Sequence, residues 1–188
     1  MVILIAGATH TGKTALAQRI LERYHIPYLS IDHLKMGLIR SGQTSLTVAD
    51  DDKLTAYLWP IVREMVKTAI ENEQNLVVEG CYIPFDWARD FDDCYLRQIR
   101  YYCLVMTKAY IERNLNNIRQ YANVVENRLD DAGLSQDGLI SENAENLRRC
   151  EEYGCRYVLI DGVYEMADTV FAELDSTLHR FSQTDSCG

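Results

Sequence analysis

A chain of 188 residues, 47% of them hydrophobic, can close one sizeable core but has no room for two, so a single domain is expected. A formal net charge of -9 and a pI near 4.9 exclude the basic face through which nucleic-acid binders gain affinity by counterion release, and nucleic acid is not an expected partner. The six cysteines form no CxxC pair and read as free thiols, and no apolar run approaches the ~20 residues that a membrane span needs, so a soluble, cytoplasmic protein is expected.

Short apolar runs alternate with longer stretches of helical spacing, the pattern of an α/β sheet. Val2–Ala6 is apolar on both faces, as a central parallel strand should be. The spacing of Leu16, Ile20 and Leu21 predicts a helix over 13–24. A short strand over 27–30 and a helix over 32–39 follow, closed by Ser41 and Gly42. Residues 43–52 read as a loop ending in Asp50, Asp51 and Asp52, whose charge suits the N-terminus of a long helix over 53–72 better than a metal site. Further strands are predicted over 76–78, 101–106 and 156–160, and further helices over 108–128, 141–153 and 164–181, with a polar turn at 130–133. The twelve tyrosines, Tyr101 and Tyr102 among them, read as packing residues. Five strands separated by helices give a three-layer α/β/α sandwich on a parallel sheet, whose ligand should sit at the carboxyl ends of the strands.

One motif carries chemistry. Gly7-Ala8-Thr9-His10-Thr11-Gly12-Lys13-Thr14 fits G-x-x-x-x-G-K-[ST] between a predicted strand and a predicted helix, the context that gives this pattern meaning. Glycines at both ends let successive backbone N–H groups curl around an anion, and the helix N-terminus adds partial positive charge. In such a loop the lysine reaches the β- and γ-phosphates and the threonine hydroxyl reaches Mg²⁺, so ATP and Mg²⁺ are the expected ligands of Lys13 and Thr14. His10 reads as a spacer that contributes its backbone.

Loops of this kind serve several functions, so the remaining residues must choose among them. A guanine-reading N-K-x-D is absent, and Leu76-Val77-Val78-Glu79-Gly80 ends in a single acid where a mechanical ATPase has adjacent ones. Asp32 can accept a hydroxyl proton beside the phosphate loop, or it can cap the helix that follows it. Glu79 can support Mg²⁺ through water, or it can make a structural hydrogen bond. Arg113, Arg119 and Arg128 can fork onto phosphate oxygens, with Arg119 and Arg113 preferred. Lys35 and Arg40 can hold an anionic acceptor or lie on a solvated helix face.

With Ser30-Ile31-Asp32-His33-Leu34 after the second strand, Glu79-Gly80 after the next and arginines after the strand ending at Met106, the chain resembles small P-loop kinases. The relevant groups are the adenylate kinase-like, shikimate kinase-like and chloramphenicol phosphotransferase-like proteins. The resemblance implies an acid at Asp32 facing the acceptor hydroxyl, and an arginine-bearing lid around 113–140. It implies phosphoryl transfer from ATP to a hydroxyl or phosphate of a small molecule. Two departures bear on the acceptor: position 34 is Leu where shikimate-type kinases carry a second acid, and the arginine-rich lid signature of adenylate kinases is missing. The competing reading is an ATP-binding switch or regulatory module that transfers nothing. Adenine is expected at the turn after Asp161 and Gly162.

Overall fold

The computed structural model describes residues 1–121, 135–161 and 168–176, with the side chains of Asp52 and Tyr121 left out. The chain runs β1 (Val2–Gly7), α1 (Lys13–Tyr24), β2 (Tyr28–Ser30), α2 (Ile31–Arg40), α3 (Asp51–Glu71), β3 (Leu76–Glu79), α4 (Asp93–Leu96), β4 (Ile99–Met106), α5 (Lys108–Tyr121), α6 (Gln136–Tyr153) and β5 (Tyr157–Ile160). A single 3-10 turn at Trp87–Asp90 and a helix α7 over 168–176 complete it. The five strands form one parallel sheet in the order β2-β3-β1-β4-β5. The sheet and its helices are the expected α/β sandwich.

The period-two geometry of β1 divides the core. Val2, Leu4 and Ala6 join Val78, Tyr101, Cys103 and Val105 on one face, where Leu54, Leu58, Val62 and Val66 of α3 cover them. Ile3 and Ile5 join Val77, Tyr102, Leu104 and Met106 on the other, beneath Leu16, Ala17 and Ile20 of α1 and Val170, Phe171 and Leu174 of α7. Each fully buried aliphatic side chain contributes about 1.5–3 kcal/mol, so both layers are held to the sheet by burial. Both faces of β1 are therefore occupied, as its unbroken apolar run requires.

Element boundaries differ from the sequence reading in instructive places. α3 begins at Asp51, with Asp50 in the N-cap position. The Asp50 side chain does not bond the helix amides, which its backbone carbonyl receives instead: its carboxylate accepts from the backbone N–H and Oγ1 of Thr47 and from Lys53, and the Thr47 amide first of all holds its pKa down at about 2. α6 begins at Gln136 rather than near 141, because Ser135 caps it by accepting from the Gly138 amide at 3.0 Å. β4 begins two residues early, at Ile99. The turn at 130–133, Arg128 and Gly162 lie outside the described residues, and of the predicted final helix only 168–176 is described. The five described cysteines are free.

Because β1→β2 and β3→β4 cross to opposite sides of β1, the carboxyl ends of β1 and β3 flank a topological switch point. Gly80 fixes one wall of it. A Cβ at position 80 would stand 2.9 Å from Cβ of Ile31, so only glycine lets the start of α2 close onto the end of β3. Gly80→Ala is expected to lower the unfolding free energy by about 1–3 kcal/mol, the usual cost of overpacking, as read from urea denaturation.

Candidate phosphate-loop site

The loop between β1 and α1 owes its shape to its glycines. Gly7 has φ 143°, and a Cβ there would meet the Leu104 carbonyl oxygen at 2.5 Å and Thr11 Oγ1 at 2.9 Å. Gly12 sits at φ 85°, immediately before α1, and no side chain caps that helix. His10 takes φ 63°, an uncommon conformation for a non-glycine residue, with its Nδ1 2.9 Å from Thr9 Oγ1. Inside the curl, Thr11 Oγ1 and Lys13 Nζ both donate to the Ala8 carbonyl, at 2.9 and 2.7 Å.

Lys13 is only 4% exposed. Burial opposes its charge, but its contacts with Cys81 and the Glu79 and Asp32 carboxylates outweigh burial and hold its pKa above the ordinary lysine value. It is therefore an ammonium ion at neutral pH. The Cys81 residue as a whole is exposed, yet its thiol is crowded by the surrounding protein. That burial pushes its pKa up, against the pull of the Lys13 ammonium towards thiolate.

The second and third strands deliver the acids. Glu79, buried at the end of β3, accepts from Thr14 Oγ1 at 3.3 Å. Ser30 pairs in register with Glu79, so the two side chains leave the sheet on the same face; Ser30 Oγ is buried and has no hydrogen-bond partner among the described residues. Asp32 is not the cap of α2: Ser30 holds that position, and Asp32 lies in the first turn. Its Oδ1 accepts from Lys35 Nζ at 2.5 Å, while no bond is made by Oδ2 among the described residues.

Two residues that the sequence reading did not select join them. Tyr82 Oη accepts from Lys35 Nζ at 3.0 Å and donates to Asp51 Oδ1 at 2.8 Å, with Lys35 Nζ 4.9 Å from its ring centroid. Burial, then the bond to Asp51, pushes the Tyr82 phenol far up, so it stays a neutral donor. Glu142 of α6 accepts from the Thr9 backbone N–H at 3.2 Å, placing a carboxylate on the loop itself. Tyr82 stands three residues after Glu79 and could have been found from the strand end; nothing in the sequence singles out Glu142.

The described arginines singled out in the sequence lie on α5 and α2. Arg113 is exposed and donates to Asp161 Oδ1 at 3.1 Å and to the Ala109 carbonyl, which places it at the carboxyl end of β5 rather than beside Lys13. Arg119 is exposed in the last turn of α5. Arg40 is exposed in the last turn of α2, where its charge complements the helix C-terminus.

No protein-family model matches this chain, and no curated protein matches it in sequence. Solved structures do match over nearly the whole length. A shikimate kinase from Aquifex aeolicus is 16% identical, covering 95% of this chain and 98% of its own, with a TM-score of 0.53. A gluconokinase from Sinorhizobium meliloti is 15% identical (96% and 97%, TM-score 0.54), and a deoxyadenosine kinase from M. mycoides is 14% identical (94% and 100%, TM-score 0.50). The fold is that of the P-loop kinases; at these identities the likeness carries the architecture and not the substrate.

Cys81 reports on the charge of Lys13. Alkylation of Cys81 by iodoacetamide, followed by mass spectrometry, is expected to be slow at pH 7 and to accelerate as pH rises past the ordinary thiol range. Lys13→Met should slow it further, because the ammonium that favours the thiolate is gone.

Proposed function

We propose that this chain is an ATP- and Mg²⁺-dependent phosphotransferase acting on a small molecule. The observation that carries the reading is the convergence, at the carboxyl ends of β1, β2 and β3, of a buried ammonium on a phosphate-binding loop with two carboxylates, Glu79 and Asp32. A protein that only held a nucleotide would need the loop and no acid aimed past it. The kinase folds that match over nearly the whole chain agree with this reading.

Loop amides and the N-terminus of α1 would bind the phosphates, and Lys13 would lie against the β- and γ-oxygens. Thr14, Glu79 and the Ser30 hydroxyl, unpartnered among the described residues, would hold a hydrated Mg²⁺, Thr14 through its hydroxyl and Glu79 and Ser30 through the ion's waters. Magnesium bound there supplies neutralisation of charge on the β- and γ-phosphates. Asp32, with Oδ1 fixed by Lys35, presents Oδ2 to the acceptor hydroxyl. The acceptor oxygen forms a bond to the γ-phosphorus, the bond from that phosphorus to the β,γ-bridging oxygen breaks, ADP leaves, and the hydroxyl proton passes to Asp32. Arg119 would shield the moving phosphoryl group. Arg113, held at Asp161, fits the adenine edge better than the triphosphate.

One observation favours the second reading, a nucleotide-held switch without transfer. Glu142 occupies the Thr9 amide, so an arriving phosphate would displace it and release α6 from the loop.

Asp32→Asn is expected to cut acceptor-dependent turnover about a hundredfold while sparing nucleotide affinity; unchanged turnover would remove Asp32 from the mechanism. Glu79→Gln should raise the Mg²⁺ concentration for half-maximal activity by roughly tenfold, measured by Mg²⁺ titration of ADP release.

A further inference from the structure

A cavity lies at the opposite end of the sheet from the phosphate loop. The β4–β5 ladder starts only at Cys103 and Tyr157, so Ile99–Tyr102 stand ahead of it, and the chain that leads into β5 there is 153–156. Together with the chain after β3, this leaves a cavity of about 270 Å³ between Phe85, Trp87, Tyr101, Tyr102 and Tyr153, with Arg100 at its edge. Ala88, Tyr153 and Gly154, which also line it, are exposed, so it opens to solvent. β4 carries its cavity residues at its amino end and meets Gly7 only at Leu104, so the cavity shares no residue with the phosphate-loop site. An inference drawn from it does not rest on the phosphotransferase reading.

The walls are aromatic, and a buried hydroxyl among them is unbonded. Trp87 and Tyr101 stack with ring centroids 5.4 Å apart and planes 8° from parallel. Cys155 ties the two sides together by donating its thiol proton to the Phe85 carbonyl at 3.0 Å. Tyr101 is only 6% exposed, and its Oη has no hydrogen-bond partner among the described residues. The polar groups around it are the thiols of Cys103 and Cys155, which are weak partners. Burial pushes this phenol far up, so it stays protonated and can donate. Buried tyrosine hydroxyls are ordinarily bonded, and the missing acceptor has the cavity beside the Tyr101 ring from which to come.

The charge around the rings is positive, in a chain whose net charge is -9. Arg100 is half-buried; its Nη1 donates to the carbonyls of Arg97 and Ile99, both at 3.0 Å, and it makes no ion pair among the described residues. Arg149 lies 4.7 Å from the Phe85 ring centroid and 5.7 Å from that of Tyr153, likewise without an ion pair among the described residues. The acids nearby are already taken: Glu173 by Arg156 and the Tyr102 hydroxyl, and Asp86 by Arg89. A guanidinium with nitrogens to spare beside an apolar cavity forks onto a carboxylate. A cavity of ~150 Å³ already admits benzene, so this one has room for a single ring with a short acidic arm.

We propose that this cavity binds a small aromatic carboxylate. Its ring lies among Phe85, Trp87 and Tyr153, its carboxylate pairs with Arg100, and one of its oxygens accepts the hydrogen bond that Tyr101 Oη lacks.

The test is isothermal titration calorimetry of the full chain with benzoate, 4-hydroxybenzoate, phenylacetate and indole-3-acetate, against the matching amides and cyclohexanecarboxylate. At least one aromatic acid is expected to bind at one site with a Kd below about 1 mM, at least tenfold tighter than its amide and than cyclohexanecarboxylate. Saturating Mg²⁺-ATP and Lys13→Ala should leave that Kd unchanged. Arg100→Gln should weaken binding about tenfold. Tyr101→Phe should weaken it several-fold while the urea midpoint holds or rises, because the hydroxyl removed is one that the free protein leaves unbonded. Amides or cyclohexanecarboxylate binding as tightly as the aromatic acids overturns the proposal. So does a Kd indifferent to both Arg100→Gln and Tyr101→Phe, or binding that Mg²⁺-ATP or Lys13→Ala abolishes, which would put the acid in the phosphate loop. Absence of binding by every aromatic acid overturns it too, and leaves water as the partner of Tyr101.

Discussion

The approach of Gly7 to the Leu104 carbonyl is the constraint from which the rest of the site is built. At that point β1 must stop being a strand, and it can do so only because no Cβ stands between its backbone and β4. The turn begun there lets the Ala8 carbonyl face inward, where it holds Thr11 Oγ1 and Lys13 Nζ at once. Lys13 is thereby buried at the start of α1 rather than extended into solvent. A buried ammonium is tolerable only with anions close by, so the positions of Glu79 and Asp32 at the ends of the neighbouring strands are as much a condition of the loop's stability as a feature of its chemistry. Fold and site share one electrostatic requirement.

That requirement propagates outward as a chain of paired groups. Lys13 is balanced by Glu79 and Asp32, Asp32 by Lys35, and Lys35 bonds Tyr82, whose hydroxyl donates to Asp51. Each link joins α1, β2, α2 or α3 to the cleft, so the helix that carries Asp51 is positioned by the same network that begins at the phosphate loop. Such a network rigidifies when fully satisfied and is costly when one member is lost.

The contiguous parts of this arrangement were legible in the sequence. Eight adjacent residues specify the loop, and the acids Asp32 and Glu79 each follow a short apolar run, so their place at strand ends could be read without knowing the strand order. The parts assembled by topology could not. Glu142 and Thr9 are 133 residues apart, and only the packing of α6 against β4 and α5 brings them together. Arg113 reads as a lid candidate because arginines recur along α5, and its partner Asp161, brought to it by the pairing of β5 with β4, could not be read from the sequence. The start of α6 was misread because Gly138 weakens helix propensity, while Ser135 at the cap supplies the bond that overrides it. With Asp32 as its cap α2 would begin at residue 33; the structure instead starts it two residues earlier, at Ile31, because Gly80 leaves space for Ile31 to pack at the end of β3.

That two-residue shift has a chemical consequence. As a cap, Asp32 would spend its carboxylate on backbone amides of its own helix. Within the first turn, i,i+3 spacing puts it on Lys35 instead, through one oxygen only. Phosphoryl transfer through a loose transition state asks little of a base and much of alignment, because the nucleophile gains little bonding before the phosphoryl group has left its donor. In the proposed reaction a carboxylate held at one oxygen and open at the other would meet that demand: it would fix where the acceptor hydroxyl lies before receiving its proton. Lys35 would then be a positioning residue, acting through the orientation of Asp32, and Gly80 would act one step further back by deciding where α2 begins.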